Sequence, residues 1–144
     1  MRRKISILGL VVMIGALIGL YKIGVLLTAQ PIAIALQLMG VALMVWARIT
    51  FGRRSFHAAA NPTAGGLVTT GPYRIIRHPI YTAACLFGWG PIVVHRSLVS
   101  VALGILLLLS ALMRMICEEQ LVKQKYPEYV EYAKGTKRMV PFLF

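Results

Sequence analysis

The stretch Gly71-Pro72-Tyr73-Arg74-Ile75-Ile76-Arg77-His78-Pro79-Ile80-Tyr81 is a polar knot between two long apolar halves of the chain. Each proline fixes its own φ, lacks an N–H and biases the preceding residue away from the α region, so the backbone must turn here. A turned segment leaves main-chain N–H and C=O groups open to a ligand. Two arginines, a histidine and two tyrosines stand beside them as donors and aromatic faces. The stretch therefore reads as a nucleotide or cofactor cradle. It reads equally as the basic flank of a membrane helix that begins near Pro79, with proline in the first helical turn. Residue chemistry leaves both open.

Working outward, the 144 residues make a single domain by length, and their 58% hydrophobic content with a mean hydropathy of +0.75 places the chain in a membrane. Only 14% of residues are charged, yet the net charge is +12. These cations cluster at the ends of apolar runs and not along one polar face, which points to anionic lipid headgroups and away from nucleic acid. Cys85 and Cys117 fall in or at the edge of apolar runs as buried thiols, with neither a disulfide nor a metal site indicated. His57 and His95 have no partner at metal-ligand spacing and read as interfacial. The start Met1-Arg2-Arg3-Lys4 resembles a signal peptide but no small-residue cleavage site follows, so the first apolar run is expected to stay as a span.

Four spans are expected. The first, Ile5 to Leu27, would be roughly 34 Å of helix; Thr28 to Pro31 connects it to a second from Ile32 to about Ile49. The spacing of Gly15 and Gly19 predicts close approach of a neighbouring helix there, with Gly9 adding to it. Residues 51–78 are basic and rich in breakers, with Arg53, Arg54, His57, Asn61-Pro62 and Gly65-Gly66, and no spanning run. Pro79 to Val94 and Leu98 to about Cys117 form the second pair. The expected fold is an all-α integral membrane protein of four transmembrane helices arranged as two hairpins (1–50 and 79–117), with a cytosolic loop (51–78) and a cytosolic tail (118–144) carrying a short helix. That helix should start at Pro127, with Gly135 as its C′ residue. The excess of Lys and Arg at both termini and in the loop puts those parts in the cytoplasm, in a prokaryotic inner membrane.

Arg114, Glu118 and Glu119 sit where the fourth span leaves the bilayer, a depth at which ionisable groups are costly unless paired or used. Arg114 and Glu118, four apart, share a helix face; Glu119 points about 100° away and is expected to pair with Lys123 at the surface. Tyr126, Tyr129 and Tyr132 read as an interfacial aromatic belt or, alternatively, a substrate wall.

The run Leu67-Val68-Thr69-Thr70-Gly71-Pro72-Tyr73-Arg74, then Arg77-His78-Pro79-Ile80-Tyr81, then Arg114-x-x-x-Glu118-Glu119 and a Tyr/Pro-rich tail ending in Val140-Pro141, resembles the isoprenylcysteine carboxyl methyltransferase family, with the phospholipid N-methyltransferases as similar relatives. The resemblance covers about the last 80 residues and implies an S-adenosylmethionine-dependent membrane methyltransferase that releases S-adenosylhomocysteine. Its acceptor would be a lipophilic small molecule or a lipidated partner from the bilayer. Carried over residue by residue, it implies that Leu67, Val68, Tyr73, His78, Pro79 and Tyr81 line the cofactor pocket, that Glu118 is an acidic cofactor contact, and that Arg114 is the catalytic residue holding an acceptor carboxylate. Ala83 stands where the family often has glycine, a departure that would narrow the pocket.

Methyl transfer from a sulfonium needs alignment and desolvation more than strong acid or base, so this residue set suits the reaction. The rival class is a non-catalytic small helix-bundle protein, a transporter or an assembly subunit. A transporter is expected to carry ionisable residues at mid-helix, and the helix centres here have none. A nicotinamide-dependent reductase would need a phosphate-binding glycine fingerprint followed by a helix. The acceptor and the oligomeric state are not encoded in any motif.

Overall fold

The structure, a computed structural model, describes residues 2–52 and 66–141. Among these residues it has five α-helices: α1 (Arg2–Lys22), α2 (Pro31–Phe51), α3 (Pro79–His95), α4 (Leu98–Lys125) and α5 (Tyr129–Gly135), with a 3-10 turn at Gly71–Arg74 leading into α3. No strand occurs among the described residues, only an isolated bridge between Ile76 and Lys137. α1, α2 and α4 are each long and apolar enough to cross a membrane. α3 has 17 residues, about 25 Å of helix. The central part of the basic loop, with Arg53, Arg54, His57 and Asn61-Pro62, and the last three residues of the tail lie outside the described residues.

The helix ends differ from the hydropathic boundaries where backbone conformation intervenes. α1 stops at Lys22 and not at Leu27, because Gly24 adopts φ +72 and the amides of Val25 and Leu26 turn back to the Leu20 carbonyl, an αL termination that hydropathy does not register. α4 runs eight residues beyond Cys117 to Lys125, since Glu118-Glu119-Gln120-Leu121 are good helix formers. Its 28 residues make about 42 Å, so its last two turns extend past a hydrocarbon core of about 30 Å. α5 starts at Tyr129, two residues after Pro127, and Gly135 is its last residue without a positive φ.

Helix pairing corrects the expected hairpin of 1–50, while that of 79–117 is present as a lighter contact. α1 packs along α4 and α2 along α3; α3 and α4 meet more lightly, while α1 and α2 have at most marginal contact. Small residues decide this. Ser6, Gly9, Ala16 and Leu20 make the buried stripe of α1, and a Cβ on Gly9 would lie 2.9 Å from Arg114 Cγ. Gly19 also faces α4, at Leu103, but Gly15 meets nothing within 4 Å, so the Gly15/Gly19 pair is not the contact motif. On α2 the buried residues are Ala33, Gly40 and Ala47. A Cβ on Gly40 would stand 2.8 Å from the Ala83 carbonyl, which places Ala83 at the α2–α3 crossing. In lipid, apolar surface alone gives no preference between partners, so close approach at small residues selects them.

Pro91 lies inside α3 without ending it. A proline leaves the carbonyl four residues earlier without its helical donor. Here that carbonyl belongs to Phe87, and the Gln37 amide of α2 reaches it at 3.5 Å while donating to the Leu26 carbonyl at 2.8 Å. A polar side chain in the apolar stretch of α2 thus serves backbone groups that no lipid could satisfy.

Candidate functional site

Gly71 opens the motif with φ +56, and a Cβ there would fall 2.6 Å from Thr50 Oγ1, so the chain passes against the end of α2 only as glycine. The 3-10 turn that follows buries Pro72 and Tyr73, with the Tyr73 ring 5.4 Å from that of Phe51. Pro79 then occupies the first turn of α3, as its missing N–H permits.

The tail folds back over this turn. Arg77 N donates to the Lys137 carbonyl at 2.7 Å, His78 N to the Arg138 carbonyl at 2.9 Å, and Lys137 N to the Ile75 carbonyl at 3.3 Å. Thr82 Oγ1 donates to the Met139 carbonyl at 2.8 Å, and Tyr132 OH to the Tyr73 carbonyl at 2.6 Å. Burial pushes the Tyr132 pKa up to about 12, so its hydroxyl keeps the proton that it donates here. Tyr129 is buried and packs edge-on against Tyr132. The belt expected of Tyr126, Tyr129 and Tyr132 is therefore an inward wall at two of its three positions, because α5 folds onto the motif instead of lying along the interface.

The two adjacent glutamates serve different neighbours, as their 100° offset requires. Glu118 accepts from Tyr81 OH, and its Oε1 stands 3.5 Å from Arg114 Nη2. Arg114 Nε in turn donates to Tyr81 OH at 2.8 Å, and Nη1 to the Ser6 carbonyl of α1 at 2.6 Å. Glu119 is not the exposed partner of Lys123 that helix spacing predicts. Its side chain is 5% exposed, and Arg77 Nε at 3.1 Å, His78 Nε2 at 3.2 Å and Arg138 Nε and Nη2 at 3.3 Å converge on it. Arg77 also donates to the Ala133 carbonyl and to Thr136, holding the end of α5. A buried carboxylate needs such multiple compensation. The signal for it was arithmetic: with 16 basic side chains against 4 acidic ones, arginines from several segments compete for each acid.

Of the residues singled out in the sequence, Tyr73, His78, Pro79, Tyr81, Arg114 and Glu118 are gathered at the junction of the 3-10 turn, α3 and α4. Leu67 and Val68 are half-buried on the irregular approach to that turn. Arg77 and Glu119, quoted in the motifs without an assigned pocket role, belong to the same construction, as do Arg138 and Ser6, which carried no motif. Two features give the junction ligand-binding character. Glu118 is 25% exposed against 5% for Glu119, so it alone of the pair presents carboxylate to a ligand. Among the described residues the Tyr73 hydroxyl is buried without a hydrogen-bond partner, and its desolvation, opposed by Arg48, keeps it protonated. An orphaned buried hydroxyl costs roughly 1–3 kcal/mol and marks a place where a partner is missing.

Fold and site together define a helical membrane protein with a cluster of polar side chains where the 3-10 turn, α3 and α4 meet. The chain belongs to the phospholipid methyltransferase family, which matches residues 28–129 and whose general chemistry is methyl transfer. Among curated relatives, the cobalt-zinc-cadmium resistance protein CzcN of Cupriavidus metallidurans is 31% identical over 121 residues, covering 79% of this chain and 51% of that protein. The nickel-cobalt-cadmium resistance protein NccN of Alcaligenes xylosoxydans xylosoxydans is 35% identical over 80 residues, covering 54% of this chain and 37% of that protein. The chain thus spans about half the length of these relatives or less. No solved structure matches it.

Proposed function

We propose that the protein is an integral membrane, S-adenosylmethionine-dependent methyltransferase acting on a lipophilic or membrane-associated acceptor, with carboxylate methylation of the isoprenylcysteine type as one form of that reaction. The observation that carries this reading is the partly exposed Glu118, oriented by Tyr81 and Arg114, beside the unpartnered Tyr73 hydroxyl. This set fits the cofactor: a carboxylate for its cationic or hydroxyl groups, a neutral phenol as donor, and aromatic and apolar walls for its ring. When bound, S-adenosylmethionine supplies a methyl group on a positively charged sulfur.

The chain's own residues bind and exclude water. Glu118 presents its carboxylate to the cofactor, Tyr73 donates to it, and Leu67, Val68, His78, Pro79 and Tyr81 line its pocket. Arg114, four residues before Glu118, is buried and donates to Tyr81 OH and Glu118, holding both toward the cofactor. An in-line transfer gains from this alignment and desolvation and asks for no nucleophilic side chain. The orientation that accompanies this reading has four spans, both termini and the motif in the cytoplasm, in a prokaryotic inner membrane.

Titration calorimetry with S-adenosylmethionine on the detergent-purified protein tests the proposal. Saturable binding that weakens in Glu118→Gln and Tyr81→Phe is expected. A monodisperse protein that binds neither S-adenosylmethionine nor S-adenosylhomocysteine would instead be a non-catalytic membrane protein, and the proposal would fall.

A further inference from the structure

We infer that α1, which precedes the family match at residues 28–129, is a working part of the site, and that Ser6 and Gly9 are positioning residues acting through Arg114. This rests on the cofactor reading above. Ser6 is fully buried and its carbonyl takes the Arg114 Nη1 donor at 2.6 Å. That carbonyl already serves its own helix, and its second lone pair is what the guanidinium uses. One turn on, Gly9 supplies the notch through which the arginine stem passes: a Cβ there would lie 2.9 Å from Arg114 Cγ, 3.0 Å from Met113 Cε and 3.3 Å from the Ser110 carbonyl.

With α1 seated, Arg114 is 4% exposed. Its Nε then donates to Tyr81 OH at 2.8 Å, and Tyr81 OH donates to Glu118. The order of contacts runs from α1 to Arg114, to Tyr81, to the one carboxylate that faces a ligand. Arg114 is engaged on three sides within the protein, so its function is to fix Tyr81 and Glu118, and acceptor recognition does not need it as a free carboxylate clamp. Close packing at Gly9 makes the relay sensitive to a single methyl group, since a buried arginine stem flanked by backbone has no room to yield.

A double-mutant cycle reads this directly. Gly9→Ala and Tyr81→Phe are made singly and together, with Gly15→Ala as a control on an α1 position that faces open space. S-adenosylmethionine affinity and methyl-transfer rate are measured for each in detergent. The expected result is that Gly9→Ala weakens cofactor binding several-fold and slows transfer about tenfold or more, as small misplacements do. In the Tyr81→Phe background the same substitution should add little, because the relay is already cut. Gly15→Ala should match the parent. Full additivity of Gly9→Ala and Tyr81→Phe overturns the inference while leaving the methyltransferase reading intact; absence of cofactor binding by the parent overturns both. Should Gly9→Ala fail to give monodisperse protein, hydrogen exchange supplies the answer. S-adenosylmethionine should slow amide exchange in residues 6–10 of the parent and not of Arg114→Met, and identical exchange in the two sinks the inference.

Discussion

Glu119 and Tyr73 show how individual side chains divide between holding the site and leaving it ready for a ligand. Glu119 accepts from Arg77, His78 and Arg138; turning it into an amide leaves three cationic or polar donors around a neutral group. Glu119→Gln should therefore cost about 3 kcal/mol or more, the usual penalty for breaking a buried charge cluster, and Glu118→Gln far less. Thermal unfolding in detergent compares them, and equal shifts would show that the cluster is not a structural clamp. Tyr73 should behave in the opposite way. Because its hydroxyl is buried and has no partner among the described residues, Tyr73→Phe should leave the unliganded protein as stable or about 1 kcal/mol more stable, while lowering cofactor affinity. A Tyr73→Phe protein that is clearly less stable and binds as before would mean that the hydroxyl serves the fold. The role of Glu119 was hidden in the sequence: helix spacing correctly separated the faces of Glu118 and Glu119, but it offered Lys123 as a partner because local rules cannot see Arg77, 42 residues away.

At the scale of elements, the entry into α3 depends on a glycine for two separate reasons. Gly71 has φ +56, and its missing Cβ makes room for Thr50. Gly71→Ala should destabilise by more than the roughly 1–2 kcal/mol of a left-handed alanine, and adding Thr50→Ala should recover the steric share only. Measuring the three proteins by denaturation separates the two; complete rescue by Thr50→Ala would remove the backbone argument. The Pro72 and Pro79 positions, the turn between them and the start of α3 were legible, because proline and glycine constrain the backbone locally. The true end of α1 was not, since Ile23 to Leu27 stays apolar after the helix has stopped at a positive-φ glycine.

For the whole molecule, large apolar side chains such as Leu8, Val11, Ile32, Leu38 and Leu109 point outward along the helices, as a bilayer requires and water would not allow. If all four long helices span, a reporter fused after Phe144 should read cytoplasm, and one inserted between His95 and Arg96 the opposite side. Both reporting the same compartment would mean that the short α3 is re-entrant. The tail is the other whole-molecule device: through Arg138, Lys137 and Met139 it clasps residues 77, 78 and 82, so the motif is shaped by residues some 60 positions away.

Local composition settled what could be settled locally: residence in a membrane, an all-helical chain, the turn at residues 71–79, and the opposition of Glu118 to Glu119 around one helix. Each follows from hydropathy, proline and glycine stereochemistry or the 3.6-residue turn. Which helices touch, which arginines neutralise Glu119, and that α1 and the tail close on the motif were decided by tertiary structure. In lipid the apolar faces are interchangeable, and only shape at Gly9, Gly40 and Ala47, together with a few polar bonds between distant segments, distinguishes one packing from another.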